Sequence, residues 1–265
     1  MSQNLSRYED PWTAEIYDHQ VAASWADRDI AFYINLAKES PGPVLELACG
    51  TGRVMIALAR EGVHVTGLDI SPNMLNVARR KIDRECPHVR RRITVVQGDM
   101  ASFSLEEKFG LILIPYRSFQ ALLEPSDQKG CLEACARHLL PEGRLVINVF
   151  QPRPSRLEMP GPVEEQPRDF PGPYGLRIRQ TACTEFDAPN QRLRSRIKYE
   201  STSQGGDVAL REHSLELCYF FRSDMERLLE DCGFEVEAAY GNFDRSPLSA
   251  DSPEMIFVAR KAVKK

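Results

Sequence analysis

Between Val44 and Phe150 the chain alternates short unbroken apolar runs with longer stretches in which apolar residues recur every three or four positions. The runs predict strands over residues 44–48, 64–69, 93–97, 111–114 and 144–150; the periodic stretches predict helices over 53–61, 72–84 and 127–139. Ser71 before Pro72 reads as an N-cap followed by a proline at the first helical position. Strands apolar on both faces need helices on both faces, so the expectation is an α/β fold built on a buried parallel sheet. Upstream, Ile30, Ile34 and Ala37, with Phe32, Tyr33 and Leu36, predict one or two helices that stop at Ser40-Pro41-Gly42-Pro43.

The period changes after residue 150. Seven prolines between Pro152 and Pro173 predict a loop that does not continue a sheet core. Two-residue alternation then predicts antiparallel strands over 176–186, 192–201 and 208–221, turned at "DAPN" and "QGGD". The α/β pattern returns with "SDME" from Ser223 to Glu226, read as a capping box opening a helix through Cys232. Gly233 follows as its C-cap, and strands are expected over 235–240 and 255–259. The expected organisation is N-terminal cap helices over 1–40, a core over 41–150 and 221–265, and a β-rich insertion or lid over 151–220.

Composition narrows the class. The chain has 265 residues, 42% hydrophobic and 27% charged, which is enough for a full core. No apolar run reaches the ~18 to 20 residues of a membrane helix, and "MSQNLSRYEDPW" lacks the order of a signal peptide, so no membrane partner and a cytoplasmic location are expected. Seven scattered cysteines without a CxxC pair read as reduced thiols, and no metal is expected, even from Cys131 and Cys135 one turn apart. A net charge of −4 argues against a nucleic-acid partner.

Candidate chemistry begins at "VLELACGTGR". A parallel strand running through this glycine turn into a helix presents unpaired N–H groups above the strand's carboxyl end, and glycines let a ligand approach the backbone. Asp69, about 20 residues on at the end of the next strand, is placed to take two ribose hydroxyls, so an adenosine ligand is expected. A dinucleotide fits less well, because Met55 stands where the third glycine of GxGxxG would be. Glu46, inside the first strand's end, would repel a pyrophosphate and suit an ammonium.

The segments "LELACGTG", "GLDIS", "VVQGDM" and "LLPEGRLVINVF", in that order and spacing, resemble the motifs of class I S-adenosylmethionine-dependent methyltransferases. The resemblance covers residues 44–150 and the terminal "LLEDCGFEVEAAYG". It implies a Rossmann-like seven-stranded sheet whose last strand is antiparallel, with S-adenosyl-L-methionine as cofactor and S-adenosyl-L-homocysteine as product. It also implies site residues. Glu46, Ala48, Cys49, Gly50, Gly52 and Arg53 lie at the methionine end; Asp69 binds the ribose, with Ile70 and Met74 nearby. Asp99 faces the adenine amine with Met100 beside the ring, and Pro115 and Tyr116 follow the fourth strand. Ala48 stands where the family often has glycine; alanine is a common substitute there and leaves the resemblance intact.

Because the cofactor already carries the activated methyl, the protein has chiefly to align and desolvate the acceptor. "IPYRSFQALL" is not the (Asp/Asn)-Pro-Pro-(Tyr/Phe) box that resembles base methylation. Tyr116, Arg117, Ser118 and Gln120 are candidates for the pocket wall, with solvent the alternative for Arg117 and Gln120. Alternation places His213 and Tyr219 with Leu215 and Leu217 on one face, and they are candidate catalytic groups beside Tyr116. Arg192, Arg194, Arg196 and Lys198 share the opposite kind of face, either solvated or anion-binding. The whole pattern is similar to bacterial sugar N,N-dimethyltransferases and glycine N-methyltransferases, which implies a small-molecule acceptor with a nitrogen, oxygen or carbon nucleophile. It also implies that Tyr17, with Trp25 second, closes over the cofactor, and that the lid contributes to a homo-oligomer. The alternatives are an RNA-directed methyltransferase, an NAD-dependent oxidoreductase and a non-catalytic cofactor-binding protein.

Overall fold

The computed structural model describes residue 8 and residues 10–24, 27–159 and 161–262. In chain order the core elements are α1 Pro11–Ser24, α2 Ile30–Glu39, β1 Val44–Leu47, α3 Arg53–Arg60, β2 Val65–Asp69 and α4 Pro72–Asp83. After the short α5 Pro87–Arg90 come β3 Ile93–Gln97, β4 Phe109–Ile114, α6 Pro125–His138 and β5 Leu139–Phe150. The insertion contributes α7 Pro154–Leu157, β6 Val163–Glu164, β7 Arg168–Pro171, β8 Arg177–Asp187, β9 Arg192–Thr202 and β10 Val208–Cys218. The chain then finishes with α8 Arg222–Asp231, β11 Phe234–Tyr240 and β12 Glu254–Lys261.

Seven strands form one sheet in the order β11-β12-β5-β4-β1-β2-β3. Neighbours from β3 to β5 are parallel, while β12 runs antiparallel between β5 and β11, as the resemblance implied. Every residue of β1, β2 and β4 is buried, which is why these strands read as unbroken apolar runs. The order reverses between β1 and β4, and ligands of open α/β sheets bind at the strands' carboxyl ends beside such a reversal. The helix starts follow local chemistry. Ser71 Oγ accepts from Met74 N–H at 3.2 Å and caps α4. The expected box at Ser223 is replaced by an earlier start: α8 begins at Arg222, and the Asp224 carboxylate accepts from Phe221 N–H at 3.1 Å.

The second sheet runs β10-β9-β8-β6, with β7 also on β8. Here the proline-rich segment departs from expectation, because two short strands form within it and pair with β8 at Val163↔Thr184 and Arg168↔Gln180. The prolines stay compatible by sitting at strand ends and turns, as at Pro171. Contacts divide the chain into two compact units, one of the described residues to Asp27 with Pro152–Tyr219, the other Arg28–Gln151 with Phe220–Lys265. The N-terminal stretch taken as one cap over 1–40 is therefore split. Ile16 of α1 packs with Phe170, Ile178, Ile197 and Tyr199 in the first unit, and Trp12 meets the Tyr199 ring edge-on at 5.3 Å. α2 belongs to the second unit, where Phe32 and Tyr33 pack edge-on with Phe243.

Candidate active site

The turn after β1 is built from three left-handed residues, Ala48 (φ 54°), Gly50 (φ 55°) and Gly52 (φ 79°). Two are glycines for that reason; Ala48 holds the same conformation with a Cβ, at a cost of roughly 1–2 kcal/mol. The alanine is therefore strained. The turn is tied to β2 through Asp69, whose Oδ2 accepts from Gly50 N–H at 2.8 Å and whose Oδ1 accepts from Ser71 N–H at 2.8 Å. Burial raises the Asp69 pKa, and the backbone donors of Ser71, Gly50 and Ile70 oppose it. With one short N–H bond at each oxygen, the carboxylate retains acceptor capacity for a hydroxyl. Ile70, next in the chain, is 37% exposed, a large apolar side chain left open beside that acid.

Glu46 is 2% exposed on β1. It accepts from the Met55 N–H in the first turn of α3, and burial, opposed first by the Arg53 cation, pushes its pKa to about 8. Its Oε2 has no hydrogen-bond partner. A buried carboxyl oxygen in want of a donor, one residue before the glycine turn begins, fits an ammonium group. These residues together fit S-adenosylmethionine: Asp69 for the ribose, Ile70 for the base, Glu46 for the amino-acid end.

Other expected cofactor residues take different places. The Cys49 thiol is buried, and a Cβ on Gly67 of β2 would lie 2.9 Å from its Sγ and 2.4 Å from Met55 Sδ. Met55, the residue in place of a third glycine, thus packs into the space that Gly67 leaves, and Cys49 points its side chain there as well. Met74 is part of the core. Asp99 is exposed and accepts from Ala101 N–H at 2.9 Å through Oδ1, so it caps its turn and retains Oδ2 for a donor; Met100 beside it is half-buried. Arg53 forms a two-pronged pair with Asp29, both bonds 2.7 Å, and its guanidinium lies 5.7 Å from the centre of the Tyr116 ring.

The segment after β4 carries two consecutive left-handed residues, Tyr116 (φ 53°) and Arg117 (φ 66°), after the buried Pro115. Non-glycine residues pay for this conformation and cluster where function demands it. Gln120 is buried, and Arg117, although its side chain is 37% exposed, is also engaged within the protein. Arg117 Nη2 donates to Glu254 Oε1 at 2.5 Å, and buried Gln120 accepts from Phe150 N–H at 2.9 Å. Asp29, Asn148 and Glu254 carry no local signal, because each is engaged by a partner remote in the chain.

In the other unit, His213 Nε2 lies 3.3 Å from Asp10 Oδ2 and 3.4 Å from Thr13 Oγ1, at the start of α1. Tyr219 is 1% exposed, with its ring 5.7 Å from that of Phe186. The apolar face expected to need a cover has part of it from α1, since Leu215 joins the Ile16 cluster. Tyr17 is half-buried on α1, and Trp25 lies outside the described residues. On the opposite face Arg192 and Arg194 pair with Glu216, and Arg196 and Lys198 with Glu212 across β9 and β10. Two cross-strand acids are thus shared among the four cations of the basic stripe and offset half of its charge. Among the described residues no helix is long and apolar enough to cross a membrane, and no cluster of His, Cys, Asp and Glu could hold a metal.

Residues 44–143 match the family model of a methyltransferase domain. The chain is similar to the dTDP-3-amino-3,6-dideoxy-alpha-D-glucopyranose N,N-dimethyltransferase of Streptomyces fradiae, 27% identical over 84% of each chain. Its fold matches that of the CcbJ methyltransferase from Streptomyces caelestis, at 23% identity, 96% of this chain, 100% of the other and a TM-score of 0.76. The glycopeptide N-methyltransferase MtfA, solved with S-adenosyl-L-homocysteine, matches at 26% identity, 88% of this chain, 87% of the other and a TM-score of 0.58. With the motif order and the antiparallel β12, the matched domain and relatives support an S-adenosylmethionine-dependent methyltransferase whose sequence and fold resemble those of class I, the sugar N-methyltransferases among them.

Proposed function

We propose that the chain methylates the amino group of a small-molecule acceptor, with amino sugars the first class to test. The similarity that carries this reading is the one to the Streptomyces fradiae N,N-dimethyltransferase, because it extends over 84% of both chains and so includes the insertion as well as the cofactor core. The cofactor supplies a methyl group already activated on a sulfonium sulfur. Asp69 accepts the ribose hydroxyls, Ile70 lies against the base with Asp99 toward its amine, and Glu46 takes the ammonium. Tyr116 forms the wall beside the acceptor. An amine with a free lone pair needs no protein base to attack, only alignment and exclusion of water, so no proton-transfer residue is required.

The lid role of residues 151–220, a homo-oligomer formed through them and a cytoplasmic location belong to the same proposal. The net charge of −4 and the sharing of Glu216 and Glu212 among the cations of the Arg192 stripe, which offsets half of its charge, support a small acceptor over RNA. The test is formation of S-adenosylhomocysteine from S-adenosylmethionine with a panel of amino sugars, their hydroxyl analogues and single-stranded RNA. Turnover restricted to the amines supports the reading; turnover on the hydroxyl analogues or RNA alone overturns it.

A further inference from the structure

We infer that Glu254 is a positioning residue for methyl transfer, which acts through Arg117 on the Tyr116 wall; the inference rests on the reading of that wall as the acceptor side. Glu254 opens β12 and pairs with Phe150, the last residue of β5, so it stands at the carboxyl edge of the sheet where the ligands of this architecture bind. It is completely buried. A carboxylate is kept there only when its oxygens are satisfied, and three groups converge on it. Arg117 donates through Nη2 to Oε1 at 2.5 Å and through Nε to Oε2 at 3.3 Å, Asn148 Nδ2 donates to Oε2 at 3.0 Å, and Arg28 Nη2 approaches Oε1 at 3.9 Å.

Arg117 is the second of the two adjacent left-handed residues, and nothing in their side chains favours that conformation. The Arg117–Glu254 fork fixes the turn from one side. On the other, Arg53, itself fixed by buried Asp29, lies against the Tyr116 ring. The turn is thus held between two buried carboxylates through two arginines, which sets the ring of Tyr116 in one place. The bond to Glu254 also orients the Asn148 amide, leaving its Oδ1, buried and without a hydrogen-bond partner, on the side away from the carboxylate.

The experiment uses the full chain with ring-labelled tyrosine and compares Glu254→Gln and the milder Arg117→Lys with the wild type. The Tyr116 resonance is assigned by its loss in Tyr116→Phe. It should move in both variants while other tyrosines do not, whatever acceptor the enzyme uses. With an amine accepted by the wild type, kcat should fall about tenfold in Glu254→Gln while the Kd for S-adenosylmethionine stays within about twofold. In a Tyr116→Ala background the same substitution should change kcat no further, because the two act in series. A stationary Tyr116 resonance, an unchanged kcat in a folded Glu254→Gln protein, or effects that multiply in the double variant would overturn the inference. Absence of turnover on every amine by the wild type would instead count against the proposed function, and the resonance would still decide the role of Glu254.

Discussion

Replacing Glu46 by Gln should remove a pH dependence of stability that the wild type carries in its core. In the folded chain burial holds this carboxyl at a pKa of about 8, against 4.5 for the ordinary group. A raised folded pKa means that the folded state binds the proton more tightly. The stabilisation is therefore complete below pH 4.5, declines as pH rises, and is gone above about pH 8. At 1.36 kcal/mol for each tenfold in proton affinity, the gap corresponds to about 5 kcal/mol, with a slope near 1.4 kcal/mol per pH unit between the two limits. Urea unfolding of the wild type and Glu46→Gln at pH 5, 7 and 9, following the transition of the unit that contains the seven-stranded sheet, gives the difference directly. Subtraction removes the contribution of Asp69 and other groups common to both. The wild type should lose about 3–5 kcal/mol relative to the variant over this range. Saturating S-adenosylmethionine should flatten the wild-type curve, since an ammonium beside Oε2 restores the carboxylate. Parallel pH profiles without ligand would refute the assignment of a buried, proton-holding Glu46.

Ala48→Gly relieves a left-handed Cβ, so the strained position should gain up to about 1 kcal/mol after the glycine's entropy cost; a loss of about 1 kcal/mol in urea unfolding would contradict the strain. Gly67→Ala puts a methyl group where Met55 and Cys49 pack and should cost about 1–3 kcal/mol, an effect that should shrink in a Met55→Ala background; simple addition of the two losses would count against that contact. His213→Ala should lower stability by about 1–2 kcal/mol through loss of the Asp10 and Thr13 contacts and leave kcat within about twofold; a hundredfold fall in kcat with the fold intact would make His213 a catalytic base.

Most of the sheet was legible because its strands are apolar throughout and their helices carry clear signals, as with Ser71 and Pro72 at the start of α4. The places of the two acids proposed to hold the cofactor were legible for a related reason, since Glu46 and Asp69 lie near strand ends whose position follows from the hydrophobic pattern. Partnerships across the chain were not legible. Arg53 looked like a cofactor residue by its place after the glycine turn, yet its guanidinium is engaged by Asp29, 24 residues earlier in the chain. Arg117 is claimed by Glu254, 137 residues away, through a contact that periodicity does not encode. The packing of Cys49 and Met55 was hidden in the same way, since it depends on the space that Gly67 leaves on the next strand. In the insertion, proline content hid β6 and β7, whose hydrogen bonds are made at the edge positions that proline tolerates.

The turn after β1 and the acid ending β2 are proposed to bind S-adenosylmethionine. Calorimetric titration of the wild type and Asp69→Ala with S-adenosylmethionine tests it most directly. Loss of a charged acceptor of two hydroxyls costs on the order of 1.5–3 kcal/mol, so the account predicts saturable binding by the wild type and an affinity weakened roughly ten- to hundredfold in the variant. Wild-type affinity in Asp69→Ala, or no binding to the unaltered chain, would contradict it.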